Sequence, residues 1–160
     1  MKKITTKVLL VALLASTGSL MAEPLSKISL IKPAQKEVGQ MTAKELKKLL
    51  DDGEDVIVLD VREAKQRAEG NIPSDDFNKE NFIAITRGNL EWKVQNKIKN
   101  TDALIVTFCR SGGRGALAAQ VLRQLGYKKA TTLKGGLKGW VRAGYPIQTG
   151  LGFMILKKAK

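Results

Sequence analysis

Two continuous apolar runs constrain this chain more than any other feature: Val56-Ile57-Val58-Leu59 and Ala103-Leu104-Ile105-Val106-Thr107-Phe108. Both are rich in β-branched residues and lack the apolar–polar alternation of a half-exposed strand. They read as strands covered on both faces, which belong to parallel sheets. Each is followed by helical character. Residues 63–69 follow the first run. Ala116 to Leu125 follows the second, with Leu117, Val121 and Leu125 four apart and Gly126 as the stop. This alternation predicts an α/β fold, a mostly parallel sheet with helices on both faces. The strand C-termini then share one edge, where ligand sites of such folds form.

The remaining elements follow from local signals. Thr42-Ala43-Lys44-Glu45 is a capping box opening a helix over 42–52, with Leu46, Leu49 and Leu50 on its apolar face and Gly53 as its stop. Gly70-Asn71-Ile72-Pro73 is a turn. Residues 74–88 carry no clear periodicity, and Phe82-Ile83-Ala84-Ile85 is the strand candidate there. Asn89 to Ile98 reads as a helix through Leu90, Val94 and Ile98. Thr131-Thr132-Leu133 reads as the final strand. Gly135-Gly136 leads into a short helix that carries Trp140, a core residue, and ends near Gly144. Residues 23–40 are polar, with Pro24, Pro33 and Gly39, and read as an N-terminal extension to a domain over 41–148. Residues 149–160 read as a basic tail. Its Lys157, Lys158 and Lys160 follow Phe153-Met154-Ile155-Leu156, which suits a solvated end first and weak membrane-surface contact second.

The first 22 residues have the layout of a secretory signal peptide. Lys2, Lys3 and Lys7 precede a short apolar stretch, Val8 to Ala15, and small residues lead to a cleavage site after Ala22. The expectation is an exported, periplasmic chain. The apolar stretch falls short of the ~20 residues of a membrane span, and an uncleaved anchor is the alternative. The chain carries 28 Lys+Arg against 15 Asp+Glu, a net +13; without the three lysines of residues 1–22 it is +10. The lysines are scattered rather than blocked, so steering of small anions ranks above nucleic-acid binding.

Cysteine and histidine counts narrow the chemistry further. Cys109 is the single cysteine, and there is no histidine. An internal disulfide, a Cys-His dyad, a Ser-His-Asp triad and a histidine metal site are all excluded. Cys109 directly follows the second buried strand and opens the loop Cys109-Arg110-Ser111-Gly112-Gly113-Arg114-Gly115. The glycines let backbone N–H groups turn inward as an anion nest, and the helix starting near Arg114 aims its positive end at the same place. Arg110 and Arg114 add two cations. Together these favour a thiolate without a base, and they suit an anionic substrate. Cys109 is the candidate nucleophile, and Arg110, Ser111, Gly112, Gly113 and Arg114 are the candidate binding residues. Asp60 and Arg62 read as a structural pair that fixes the neighbouring loop. Arg87 and Trp92 either approach the pocket or serve as helix cap and core.

The loop Cys109 to Arg114 resembles the active-site loop of the rhodanese-like sulfurtransferases. Further motifs occur in the family's order: Leu59-Asp60-Val61-Arg62-Glu63, Gly70-Asn71-Ile72-Pro73, Arg87-Gly88-Asn89-Leu90-Glu91-Trp92-Lys93, and Leu133-Lys134-Gly135-Gly136-Leu137 with Gly139-Trp140. The resemblance covers roughly residues 40–148. It implies a five-stranded parallel sheet flanked by helices and a two-step reaction without metal or organic cofactor. Cys109 would take sulfane sulfur from an anionic donor such as thiosulfate or polysulfide, then pass it from a persulfide to cyanide or a thiol. Arg110 and Arg114 would bind the donor, and the N–H groups of 110–114 would hold the sulfur. Two departures stand out. Asn71 occupies the family's histidine position. Residues 74–86, with Asp75, Asp76, Phe77 and Phe82, are longer than usual, and read as a surface insertion first and as pocket-mouth lining second.

Two competing functions remain open at this level. A cysteine-dependent phosphatase or arsenate reductase would need a wider loop, with five residues between cysteine and arginine where this chain has four, and a general acid for the leaving group. A sulfur carrier serving a membrane-bound partner would use the same Cys109 persulfide with little turnover.

Overall fold

The two apolar runs become neighbouring strands at the centre of a five-stranded sheet. The computed structural model describes residues 23–74 and 79–156. Its helices are α1 (Lys27–Val38), α2 (Ala43–Asp51), α3 (Ala64–Arg67), α4 (Leu90–Lys97), α5 (Gly113–Gln124) and α6 (Gly136–Arg142). The strands are β1 (Gln40–Met41), β2 (Val56–Asp60), β3 (Phe82–Ala84), β4 (Leu104–Phe108), β5 (Ala130–Leu133), β6 (Ile147–Thr149) and β7 (Gly152–Met154). The first five pair in the order β1-β5-β4-β2-β3, and every neighbouring pair is parallel. β2 and β4 pair from Val56 opposite Leu104 to Asp60 opposite Phe108.

Side-chain alternation along these strands sorts the core into two layers. Ile57, Leu59 and Ile105 join Val38 of α1, Val94 of α4 and Leu122 of α5 on one face. Val56, Val58, Val106 and Phe108 join Leu46 of α2 and Trp140 of α6 on the other. Both faces are therefore covered, as the unbroken apolar runs require. The capping box of α2 is complete: Glu45 N–H donates to the Thr42 hydroxyl at 3.2 Å, and Thr42 N–H donates to the Glu45 carboxylate at 2.7 Å. The Thr42 backbone N–H, and then its hydroxyl, hold the Glu45 carboxyl below the usual range.

The structure departs from the sequence expectation at both ends of the domain. Residues 27–38 of the expected extension form α1, which packs against α5 and buries Ala34 and Val38. Pro33 lies inside this helix and removes one i→i−4 bond, so local propensity argues against an element that packing holds in place. Arg123 of α5 donates to the carbonyls of Glu37 and Val38 and to that of Ala130 in β5. One guanidinium thus fills carbonyls that a helix end leaves orphaned. At the other end β5 is not the last strand. β6 and β7 form an antiparallel hairpin, and Gln148 bridges back to Asn71. The boundaries at 40/41 and 148/149 consequently cut through β1 and β6. Strands of two and three residues carry too little period to be read from sequence.

Trp140 is buried and its indole N–H donates to the Pro146 carbonyl at 2.7 Å, whereas Trp92 is exposed and belongs to neither core nor pocket. The expected signal peptide (residues 1–22), Asp75, Asp76 and Phe77, and Lys157, Lys158 and Lys160 lie outside the described residues. Phe82 is half-buried in β3 against the core of the α2–α6 face. Among the described residues no helix is long and apolar enough to cross a membrane.

Arg123→Ala is expected to lower stability by about 1–3 kcal/mol in urea unfolding. It should also speed amide exchange in α1 ahead of α4. Equal acceleration in both helices would contradict the role given to this side chain.

Candidate active site

Cys109 leaves the C-terminal end of the central strand β4 and is buried. The chain then turns sharply. Gly112 takes φ +95°, a left-handed value that brings its N–H back to donate to Cys109 Sγ at 3.2 Å. α5 begins at the next residue, so the positive end of a twelve-residue helix faces the loop. Gly115, in the first turn of α5, sits tightly on β5: a Cβ there would lie 2.6 Å from Thr132 Oγ1. The Thr107 hydroxyl, 2.8 Å from the Gly115 carbonyl, ties the helix to the strand beneath it.

A second glycine loop locks the first from below. Leu137 N–H donates to the Cys109 carbonyl at 2.8 Å, and Lys138 N–H donates to the Arg110 carbonyl at 3.0 Å. These donors are free because they belong to the first turn of α6. A Cβ on Gly136 would lie 2.2 Å from the Cys109 carbonyl oxygen and 2.8 Å from Gly112 N, and its φ is +57°. Only glycine fits there. The Gly-Gly pair seen in the sequence therefore serves the backbone of the cysteine loop.

Asp60 and Arg62 stiffen the other side. Arg62 is fully buried, with Nε and Nη2 on the Asp60 carboxylate at 3.0 and 2.7 Å. Nη1 donates to the Gln66 carbonyl, and Nη2 also reaches the Gly70 carbonyl and the side-chain oxygen of Asn71. Asn71, where the resemblance expects histidine, thus accepts from Arg62. The guanidinium also stacks 5.2 Å over the ring of Phe108, the residue before Cys109. One buried cation joins the end of β2, α3, the 70–73 turn and the base of the cysteine loop.

The two loop arginines reach the α3 segment. Arg114 Nη2 donates to Gln66 Oε1 at 2.5 Å, and Arg110 Nε lies 3.7 Å from the Glu69 carboxylate. Ser111 is exposed. Gln66 and Glu69 are site residues that sequence reasoning missed, since nothing in their spacing sets them apart from an ordinary helical surface. Ile31 of α1 was missed as well. A Cβ on Gly113 would lie 2.8 Å from Ile31 Cδ1, so α1 rests on the start of the loop helix. Spacing of Ile31, Ala34 and Val38 was the available signal, and Pro33 masked it. Arg87 is not drawn into the loop: from the turn before α4 its guanidinium pairs with Glu91 of that helix at 2.8 Å. Burial pushes the Glu91 carboxyl up, but its own backbone N–H and Arg87 outweigh that and hold it below the usual range.

Residues 42–143 match the family model for the rhodanese-like domain. The chain belongs to the single-domain rhodanese-like sulfurtransferase family. It is 33% identical to a sulfurtransferase of Allochromatium vinosum over 110 residues, covering 69% of this chain and 94% of that protein. The rhodanese fold also aligns with a solved polysulfide-sulfur transferase homodimer from Wolinella succinogenes (TM-score 0.61, 27% identity, 75% of this chain and 85% of that one). A protein of unknown function from Rhodopseudomonas palustris, described as a possible tyrosine phosphatase, is similar too (TM-score 0.68, 25% identity, 79% and 98%). The rhodanese match begins after α1, so the contact of Ile31 with Gly113 comes from outside it.

Gly136→Ala is expected to cost about 2–5 kcal/mol, the sum of overpacking and left-handed strain. Thiol reactivity of the folded fraction should change with it, because the clash falls on Cys109 and Gly112. Gly144→Ala has the same strain at φ +84° with open space around it and is expected to leave thiol reactivity unaltered. Identical reactivity in both variants would contradict the interlock.

Proposed function

We propose that this chain moves sulfane sulfur through a persulfide on Cys109, from a small anionic donor such as thiosulfate or polysulfide to cyanide or a thiol. The Gly112 N–H directed at Cys109 Sγ, inside a loop closed by two arginines, carries this reading. In the first step the Cys109 thiolate attacks the outer sulfur of thiosulfate. A Sγ–S bond forms, the donor S–S bond breaks, and sulfite leaves with the electron pair. In the second step the acceptor attacks the outer sulfur of the persulfide, and the pair returns to Sγ. The Gly112 N–H serves the thiolate in both resting and product states, and burial shields the intermediate from water.

Arg110 and Arg114 hold the donor's oxygens. Arg110 must exchange Glu69 for them. An exposed ion pair of this kind is worth about 0–1 kcal/mol, so a dianion displaces it at little cost. Cys109 and Arg114 enclose four residues, which favours sulfur over the wider cradle of a phosphate ester. Asp60 is committed to Arg62 and is no acid for a leaving group. The signal-peptide layout of residues 1–22 supports export, and in a periplasm a protein loaded with sulfur would serve equally as enzyme or as carrier to a membrane partner. Fast turnover with free cyanide marks the enzyme; loading with slow release marks the carrier.

Intact mass after incubation with thiosulfate or polysulfide is expected to rise by one sulfur (about 32 Da). The gain should be lost on adding cyanide and absent in Cys109→Ser. No gain with any donor, or phosphate release from an aryl phosphate without thiocyanate formation, would overturn the reading. Arg114→Ala is expected to lower kcat/KM for thiosulfate by about 10–100-fold, the worth of a charged hydrogen bond, and Arg87→Ala by less than about threefold. Equal losses would sink the assignment of Arg114.

A further inference from the structure

A concavity opens beside the cysteine loop, on the side where Arg110 emerges. It measures about 300 Å³. Leu137, Val141 and Ile147 supply its apolar lining, together with Leu156 beyond the β6–β7 hairpin. Its rim carries Arg110, Lys138 and Arg142 against one carboxylate, Glu69. The arrangement follows from the sequence of α6. Leu137 and Val141 are four apart, and Lys138 and Arg142 are the next pair along, so an apolar stripe and a cationic stripe run side by side. Among the described residues neither Lys138 nor Arg142 makes an ion pair, although both sit near Glu69 and Arg110.

This concavity is joined to the reacting centre by covalent and hydrogen bonds. Arg110 is the residue after Cys109. The N–H groups of Leu137 and Lys138 hold the carbonyls of Cys109 and Arg110. The volume is at the lower end of the range for small-molecule sites, ~300–1,000 Å³. An inorganic donor gains nothing from an apolar lining. An organic acceptor does, and the rim selects a negative charge on it.

We propose, resting on the persulfide reading of Cys109, that this concavity is the acceptor subsite, and that it takes a small thiol bearing a carboxylate on an apolar carbon chain. The chain lies on Leu137, Val141 and Ile147. The carboxylate pairs with Lys138 and Arg142. The acceptor's thiolate attacks the outer sulfur of the persulfide, forming a new S–S bond. The bond from Sγ to that sulfur breaks, and the electron pair returns to Sγ under the Gly112 N–H. Lys138 and Arg142 act on binding of the acceptor alone and touch no reacting atom.

The test uses the full chain, loaded with sulfur from thiosulfate and freed of donor. Loss of the extra sulfur mass is timed with 6-mercaptohexanoate, with 6-mercaptohexanol (same chain, no charge) and with mercaptoacetate (same charge, little chain). The unmodified protein should react with 6-mercaptohexanoate about tenfold faster than with either of the others, one factor of ten in selectivity. Lys138→Ala/Arg142→Ala should bring the carboxylate thiol down to the rate of the alcohol. Leu156→Ser, at an exposed position, should narrow its lead over mercaptoacetate. Equal rates for the three thiols, or equal slowing of all three in the double variant, would overturn the subsite while leaving the persulfide intact. Failure of the unmodified protein to load sulfur would remove the persulfide reading and the subsite together.

Discussion

The carbonyl oxygen of Cys109 accepts from Leu137 N–H at 2.8 Å, and the site is built around that contact. It brings the cysteine loop into backbone-to-backbone contact with the first turn of α6. The neighbouring Lys138-to-Arg110 bond doubles the contact, and Gly136 leaves no room for a side chain between them. With its carbonyls held from below, the cysteine loop can present its N–H groups upward, and Gly112 N–H meets the sulfur. The same lock sets α6 beside Arg110, which is why an apolar and cationic groove borders the loop at all. Fold and chemistry meet in one backbone interaction that no side-chain substitution can replace.

The second dependence is on a buried charge. Arg62 and Asp60 have left water, a loss of several kcal/mol per ion that their mutual attraction only partly offsets. The carbonyls of Gln66 and Gly70, the Asn71 side chain and the Phe108 ring supply the rest. An apolar pair of equal volume would hold the core comparably but leave α3 and the 70–73 turn untethered. Because Gln66 meets Arg114 and Glu69 faces Arg110, the posture of the loop arginines depends on that tether. Gain in position, rather than in stability, explains a buried ion pair here.

Much of this was legible in the sequence, for identifiable reasons. Val56–Leu59 and Leu104–Phe108 declare the central strands because a strand buried on both faces must be apolar throughout. The Thr42–Glu45 box and the stop at Gly126 mark helix ends through chemistry confined to a few residues. The cysteine loop could be read because strand, glycines and arginines are contiguous. Illegible were features made by distance along the chain. α1 is held by Arg123 and by burial of Ala34 and Val38, which overrule Pro33. β1 is two residues long and exists only because β5 lies beside it. Gln66 and Glu69 look like any solvated helix surface until Arg114 and Arg110 arrive. Arg87 resembled a site residue by motif, yet Glu91, four positions on, claims it.

The persulfide is the central claim, and a single-turnover label transfer tests it most directly. Protein is incubated with thiosulfate labelled at the outer sulfur, stripped of free donor, and then given cyanide. The expected result is one labelled sulfur retained per Cys109 and released wholly as thiocyanate, with none retained by Cys109→Ser. Label that washes away with the donor, or thiocyanate that forms only while donor and cyanide are present together, would contradict it.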